Sequence, residues 1–360
     1  MLKESSLALA LTVTGKNRAI LYQWWNWEGA CMQKQPWLVQ LCPRLTSLST
    51  FQNCYKDDDS SPSKAECFRW QLRAALIGLV PSPLPSIMMK FFHNHLKGWH
   101  RGELAIQQKL NYDWAVAGFY EYITNFMPED HRDFHTTRIP FVPVTTLDVA
   151  GRPWGSILAG PRGLPGFIRS PNSKTLTVGA RVWDGDPIID NVKLFEQGDM
   201  LFAGIGIDLS TRTRNKFAGR VSQADLIGID LQLDLFVTQT IGYVFFALQS
   251  LSFWVLYRNC PKYINIRDLV PYPATSPEVV YRRLRLSPSE RLPEDVVSLV
   301  HGSDTVFIGT SYVALKEDEK DFPSHCGMNH RGGRQGFVRV SPTDGRTLVL
   351  PDYSGEAYPS

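Results

Sequence analysis

TRTRNKFAGRV, residues 211–221, carries four cations within nine positions: Arg212, Arg214, Lys216 and Arg220. Side chains alternate along a strand, and these four share a parity, so in a strand they would project from one face. Four cations on one face of a β-hairpin make a cradle for a phosphate dianion; a solvated sheet face is the competing reading. A second basic loop, NHRGGRQG, holds His330, Arg331 and Arg334. Gly332 and Gly333 would let its backbone approach a ligand, with Arg331 on a phosphate and His330 as a proton shuttle. An ordinary turn with a hydrogen-bonded structural histidine is the plainer alternative.

These residues need a scaffold, and the hydrophobic pattern supplies one in pieces. GELAIQQKLNY and DWAVAGFYEYITNFM have apolar residues at helical spacing. MPEDHRDFHTT places Pro128 at a helix start, with Glu129 and Asp130 in the first turn. After Arg138 the period becomes that of strands. IPFVPVTTLD and WGSILAG flank the turn VAGRP, PGFIRS and TLTVGA flank SPNSK, and MLFAGIGIDL, KFAGRVSQADLIGIDLQ and LDLFVTQTIG follow. Short strands with frequent turns indicate a barrel or sandwich. Ser287, Pro288 and Glu290 match the N-cap, N1 and N3 positions of a capping box, so a helix is expected to start there. DTVFIGTSYVAL, GFVRVSP and RTLVLPD then read as strands.

The two halves repeat. In each, a helix precedes a strand ending in T-T or T-S, followed by a Gly-rich turn, G-F-[I/V]-R, S-P and T-L. Gly166-Phe167-Ile168-Arg169 corresponds to Gly336-Phe337-Val338-Arg339, and Thr175-Leu176 to Thr347-Leu348. Residues 1–87 differ from the rest: five tryptophans, the polar break KDDDSSPSK and the proline-rich VPSPLPS interrupt every period, so a poorly ordered extension with one helix at 65–78 is expected.

Composition excludes some classes. A net charge of +3 over 360 residues gives no footprint for nucleic acid, and YRRLR at 281–285 reads as a local solvated face. The six cysteines form no C-x-x-C and no zinc spacing with histidine, which points to reduced thiols in a cytoplasmic protein and to no metal site. MLKESSLALALTVTG is marginal as a signal peptide.

PFVPVTTLDVAGRPWGSILAG, GIDLSTRTRNKFAGRV, NCPKYINIRDL and SHCGMNHRGGRQGFVRVSPTDGRTLVLPDYSG together resemble the pyridoxamine 5'-phosphate oxidase-like flavoproteins, in a two-unit subgroup, over about residues 95–355. The resemblance implies a mainly β fold with flanking helices (α+β): an antiparallel six-stranded split barrel at 88–270, then a partial second split-barrel unit at 271–360. It implies FMN at the barrel edge and a homodimer that completes the flavin site. Carried onto this chain, the cofactor-binding candidates are Ser156, Arg212, Arg214, Lys216, Arg220, Gln239, Thr240 and Arg331, with Gln239 and Thr240 at the family's Q-[ST] position. Ser156, Gln239 and Thr240 also fit plain strand positions. The substrate pattern of true pyridoxamine phosphate oxidases has no clear counterpart, so vitamin B6 oxidation is not expected. In the subgroup PDYSG leads into an Asn-Arg loop and further strands; here EAYPS follows, and the second barrel is expected to lack half its strands.

The uncharged stretch 236–257 is too short and too interrupted by Gln249, Ser250 and Ser252 for an ordinary membrane span, although its flanking aromatics suit an interface. It splits what the subgroup has as Q-[ST]-x-G-N-C-P-x-Y, so 243–258 is read as an insertion, encodable as a short in-frame retained intron. Four functions stand open on the sequence: a flavin-dependent oxidoreductase acting on a small molecule, a flavin binder without turnover, a membrane-anchored protein, and an incomplete product with little activity.

Overall fold

LFAGIGID, at 201–208, is apolar on both parities, the pattern of a strand buried on both faces; what covers each face defines this architecture. The computed structural model describes residues 97–111, 120, 123–193, 195, 200–241, 263–271, 277–279, 281–284 and 286–351. It adds the backbones of four strands at 6–12, 19–25, 244–247 and 254–257. In chain order the elements are β1 (Ser6–Thr12), β2 (Ala19–Trp25), α1 (Arg101–Leu110) and α2 (Glu129–Asp133), which runs into a π-helical turn, Phe134–Arg138. Then come β3 (Phe141–Leu147), β4 (Pro153–Ala159), β5 (Ile168–Asn172), β6 (Thr175–Arg181), α3 (Pro187–Lys193), β7 (Leu201–Asp208), β8 (Thr213–Ile227) and β9 (Asp230–Ile241). The remainder is β10 (Val244–Ala247), β11 (Trp254–Tyr257), β12 (Glu278–Val279), α4 (Glu294–Gly302), β13 (Thr305–Tyr312), β14 (His325–Gly332), β15 (Arg339–Val340) and β16 (Leu348–Val349).

The fold is mainly antiparallel β with few helices. Strands β4, β3, β7, β8, β9 and β6 pair in that order, and β4 meets β6 at Ala159 and Arg181, closing a six-stranded split barrel; β5 extends it from β6. Val142, Val144, Leu158, Leu176, Val178, Phe202, Phe217, Val221, Leu233 and Leu235 fill the interior. Gly204 leaves room for the Phe217 ring, since a Cβ there would lie 2.5 Å from it.

The outer face of β7 is covered from within the same chain. Ile205, Ile207 and Leu209 pack with Phe307, Met328 and Ile264, while Leu201, Ala203 and Ala218 pack with Cys326. The opposite side of β13 presents Val306 to Val296, Leu299 and Val300 of α4 and to Phe337 and Val338. The described residues from 97 onward are thus layered as barrel, sheet and helix. Thr145 crosses the seam: its Oγ1 donates to the Gly327 carbonyl at 2.8 Å and fills the space beside Gly309. Thr145→Val keeps the shape but orphans that carbonyl, and urea denaturation should show a loss of about 1–2 kcal/mol.

The repeat is visible in the backbone. Gly166 and Gly336 both take positive φ, 97° and 78°, and each turns the following phenylalanine into a core, Phe167 in the barrel and Phe337 under α4. Strands β5–β6 and β15–β16 are the paired hairpins that follow.

Several elements differ from the sequence expectation. The capping box at Ser287 makes only a turn: Ser287 N–H donates to Glu290 Oε2 at 2.6 Å, and α4 begins at Glu294. Pro293 disfavours helix at Leu292 and serves as the N-cap instead. The described end of the helix expected at DWAVAGFYEYITNFM is extended, with Thr124 bridging Thr240; residues 112–119 lie outside the described residues. Helix α3 was not anticipated. Two strands lie within 1–87: β1 pairs with β13 over seven residues and β2 with β1, giving the sheet β12-β2-β1-β13-β14. The edge of β13 away from β14 is thereby paired, while the helix expected at 65–78 lies outside the described residues. Strands β10 and β11 pair with each other in a sheet of their own. No helix among the described residues is long and apolar enough to cross a membrane.

Candidate functional site

Along β8, Asn215, Phe217 and Val221 are buried, the latter two in the barrel core, so the alternate residues face outward. Arg214, Lys216 and Arg220 share that outer parity. Arg212 does not belong to the row, because it sits in the β7–β8 turn with φ 55°, where strand alternation does not hold. The outer face here meets β14, and Arg214, Lys216 and Arg220 on it are half-buried. Lys216 Nζ donates to Asn329 Oδ1, joining barrel and second sheet. Burial pushes the Lys216 ammonium well below the usual lysine range, and the Arg214 and Arg331 charges push it further.

His330, fully buried, lies in the same field. Burial lowers its imidazole well below the usual value, followed by the charges of Arg214, Arg331, Arg267 and Lys216. Its Nε2 has no hydrogen-bond partner among the described residues. Arg331 Nη1 donates to the His330 carbonyl at 3.1 Å, and Arg267 pairs with Asp304 at 2.5 Å. Three of the sequence candidates, Arg214, Lys216 and Arg331, therefore meet in one seam around a neutral imidazole. Arg220 acts elsewhere, on Cys326, whose thiol burial pushes up to about 12 against that arginine's opposing charge.

The glycines of NHRGGRQG serve packing. A Cβ on Gly332 would lie 2.0 Å from the Tyr263 carbonyl oxygen, and one on Gly333 would meet the Phe337 side chain at 2.8 Å. The stretch from Tyr263 to Arg267 is what approaches: Asn265 Nδ2 donates to the carbonyls of Asp304 and Gly333, at 3.0 and 2.9 Å.

The remaining candidates bond to other groups than the cationic side chains. Ser156 is buried and donates to Asp186 Oδ1 at 2.6 Å, and that carboxylate also accepts from the Ile188 N–H at 3.0 Å. Thr240 is buried too, with Oγ1 donating to the Lys216 carbonyl at 2.9 Å and lying 3.2 Å from His131 Nδ1. Gln239 pairs in register with Ala218 and lines a cavity of about 30 Å³ with Trp99, His100, Glu103, Phe322 and His325. Sequence reading singled out Gln239 but missed the rest of this cavity group, and also Asn329 and Arg267. The H-x-x-E spacing of His100 and Glu103 was the available signal, but His325 joins them from more than two hundred residues away.

No family model matches the chain, and no curated protein does. Among solved structures, HupZ of Group A Streptococcus is similar at 14% identity, over 34% of this chain and 95% of that one, with a TM-score of 0.24. An F420 reductase is similar at 11% identity, over 32% and 98%, with a TM-score of 0.23. Likenesses this slight carry no argument about a ligand, and the split barrel rests on its own strand pairing.

Proposed function

We propose that the protein binds a phosphate-bearing flavin, FMN, where β8 faces β14, with Arg214, Lys216 and Arg331 holding the phosphate. The carrying observation is the buried positive field around His330 Nε2, which has no partner among the described residues. Gathering half-buried guanidinium groups beside Lys216 and a buried imidazole is costly, and a dianion placed among them removes that cost. It would also favour the protonated forms of Lys216 and His330, so binding is coupled to proton uptake. FMN, when bound, supplies two-electron redox chemistry; the chain's residues anchor and orient it. Because the second sheet of the same chain forms the facing wall, this reading does not require the homodimer expected from sequence.

Titration of the purified protein with FMN is expected to give saturable quenching of flavin fluorescence. Arg214→Ala combined with Lys216→Ala should weaken binding about 100-fold, the effect of losing two charge-assisted contacts. Protein that stays colourless with FMN sinks the proposal, and unchanged affinity in the double variant removes the phosphate assignment. The finer proposal, flavin-dependent oxidoreductase rather than binder, predicts bleaching of bound flavin by NAD(P)H and its recovery with oxygen.

A further inference from the structure

Where α1 meets the barrel rim, the cavity lined by Trp99, His100, Glu103, Gln239, Phe322 and His325 has its hydrogen-bonding polarity fixed from behind. His100 is the N-cap of α1: its Nδ1 accepts from the N–H groups of Gly102 and Glu103, at 3.1 and 3.3 Å. A neutral imidazole that accepts at Nδ1 carries its proton on Nε2, which lies 3.3 Å from Glu103 Oε2. The ring is held flat against Tyr312, with centroids 4.0 Å apart and planes 16° apart. His325 has the opposite tautomer. Its Nδ1 lies 3.1 Å from the Pro323 carbonyl, so Nδ1 bears the proton and Nε2 keeps its lone pair. His100 therefore has no lone pair left for a metal, and the described residues hold no metal-binding group.

We infer that this cavity is a binding site for a small protonated amine, with the Glu103 carboxylate and His325 Nε2 accepting its N–H donors. The Gln239 carbonyl can accept a third, and Trp99 and Phe322 form the apolar wall beside a short alkyl group. Imidazole nitrogen and carboxylate together select an ammonium over a potassium-like ion, which prefers oxygen ligands alone and donates nothing. The site is independent of the cationic seam and of the flavin reading, and its ligand has the opposite charge.

The charged and titratable groups facing Glu103 and its partners are His100, Arg101, Tyr312, Asp318, Glu319 and His325. Burial raises the Glu103 carboxyl to about 7, against the hydrogen bond from the His100 backbone, which lowers it. Burial keeps both histidines neutral there, taking His100 down to about 4 with the His325 charge as its second cause. As pH falls through 7, Glu103 takes up a proton and becomes a donor, so amine binding should weaken.

The test uses the full chain and methylammonium chloride, followed by the ring resonances of His325. Saturable shifts in the millimolar range are expected at pH 8, as suits a ligand of so few atoms, with affinity falling below pH 6.5. Tetramethylammonium, which has the charge but no N–H, and acetate should leave the signals unmoved. Glu103→Gln keeps the side-chain shape and should weaken methylammonium at least about tenfold, while FMN affinity stays unchanged. Absence of saturation at pH 8, an equal response to tetramethylammonium, or full affinity in Glu103→Gln would each overturn the assignment.

Discussion

Acidification from pH 7 to pH 4 is expected to unfold the protein, because four histidines are held neutral in the folded state. Burial is the first cause for all of them: His135 is pushed down to about 3, His100 to about 4, and His325 and His330 also fall below the usual 6.5. In the unfolded chain each takes a proton near 6.5, while the folded chain refuses it until its own lower value. Their contribution is therefore complete above about 6.5 and is lost as pH falls toward the folded values. His135, enclosed by Phe134, Phe217 and Gly206, accounts for a loss on the order of 3 kcal/mol by pH 4. Glu103 works the other way. Its folded value of about 7 lies above the unfolded 4.5, so the folded state gains relative stability as pH falls from 7 to 4.5. His100 and Glu103, in contact with each other, nearly offset, which leaves His135, His325 and His330 to decide the sign. Urea denaturation at pH 7.5, 5.5 and 4.5 should show a falling midpoint. His135→Phe, which keeps a ring in the slot, should flatten that fall. A midpoint constant down to pH 4.5 would refute this account.

The barrel was legible because its signals are local. Alternation in TLTVGA, the turns at VAGRP and SPNSK, and the doubly apolar run LFAGIGID all report on nearby backbone. The duplicated Gly-Phe pair was legible for the same reason, since each glycine serves the residue beside it. What failed were readings where local rules compete. The capping box at Ser287 met Pro293 six residues later, and the parity of Arg212 was overruled by a turn. What could not be read was partnership at a distance. That Lys216 would face Asn329, that His325 would close a cavity begun by His100, and that β1 would pair along β13 depend on which surfaces the second sheet covers. Residue type placed the cations; only the seam shows that they meet a neutral imidazole rather than water.

Gly332→Ala is expected to destabilise the protein by more than about 3 kcal/mol and to impair the cationic seam with it. The backbone at Gly332 does not lie in the left-handed region, so the effect is one of contact. Its new Cβ would sit 2.0 Å from the Tyr263 carbonyl oxygen and 3.1 Å from His330 Cε1. A side chain could rotate away from such an overlap, but a carbonyl can leave only by moving its loop. That loop is seated at three further points: Ile264 in the apolar seam, the Asn265 amide on two carbonyls, and Arg267 on Asp304. Moving Tyr263 thus withdraws Arg267 from the field around His330, and flavin affinity should fall even where the variant remains folded. Gly309→Ala is the calibrating change, because its Cβ meets only the Thr145 side chain, at 2.7 Å. It should cost less and leave the affinity of folded protein close to that of the parent. Denaturant unfolding together with FMN titration separates the two variants. A Gly332→Ala protein within about 1 kcal/mol of the parent would mean that Tyr263 does not rest on β14, and that the stretch from Tyr263 to Arg267 does not organise the seam.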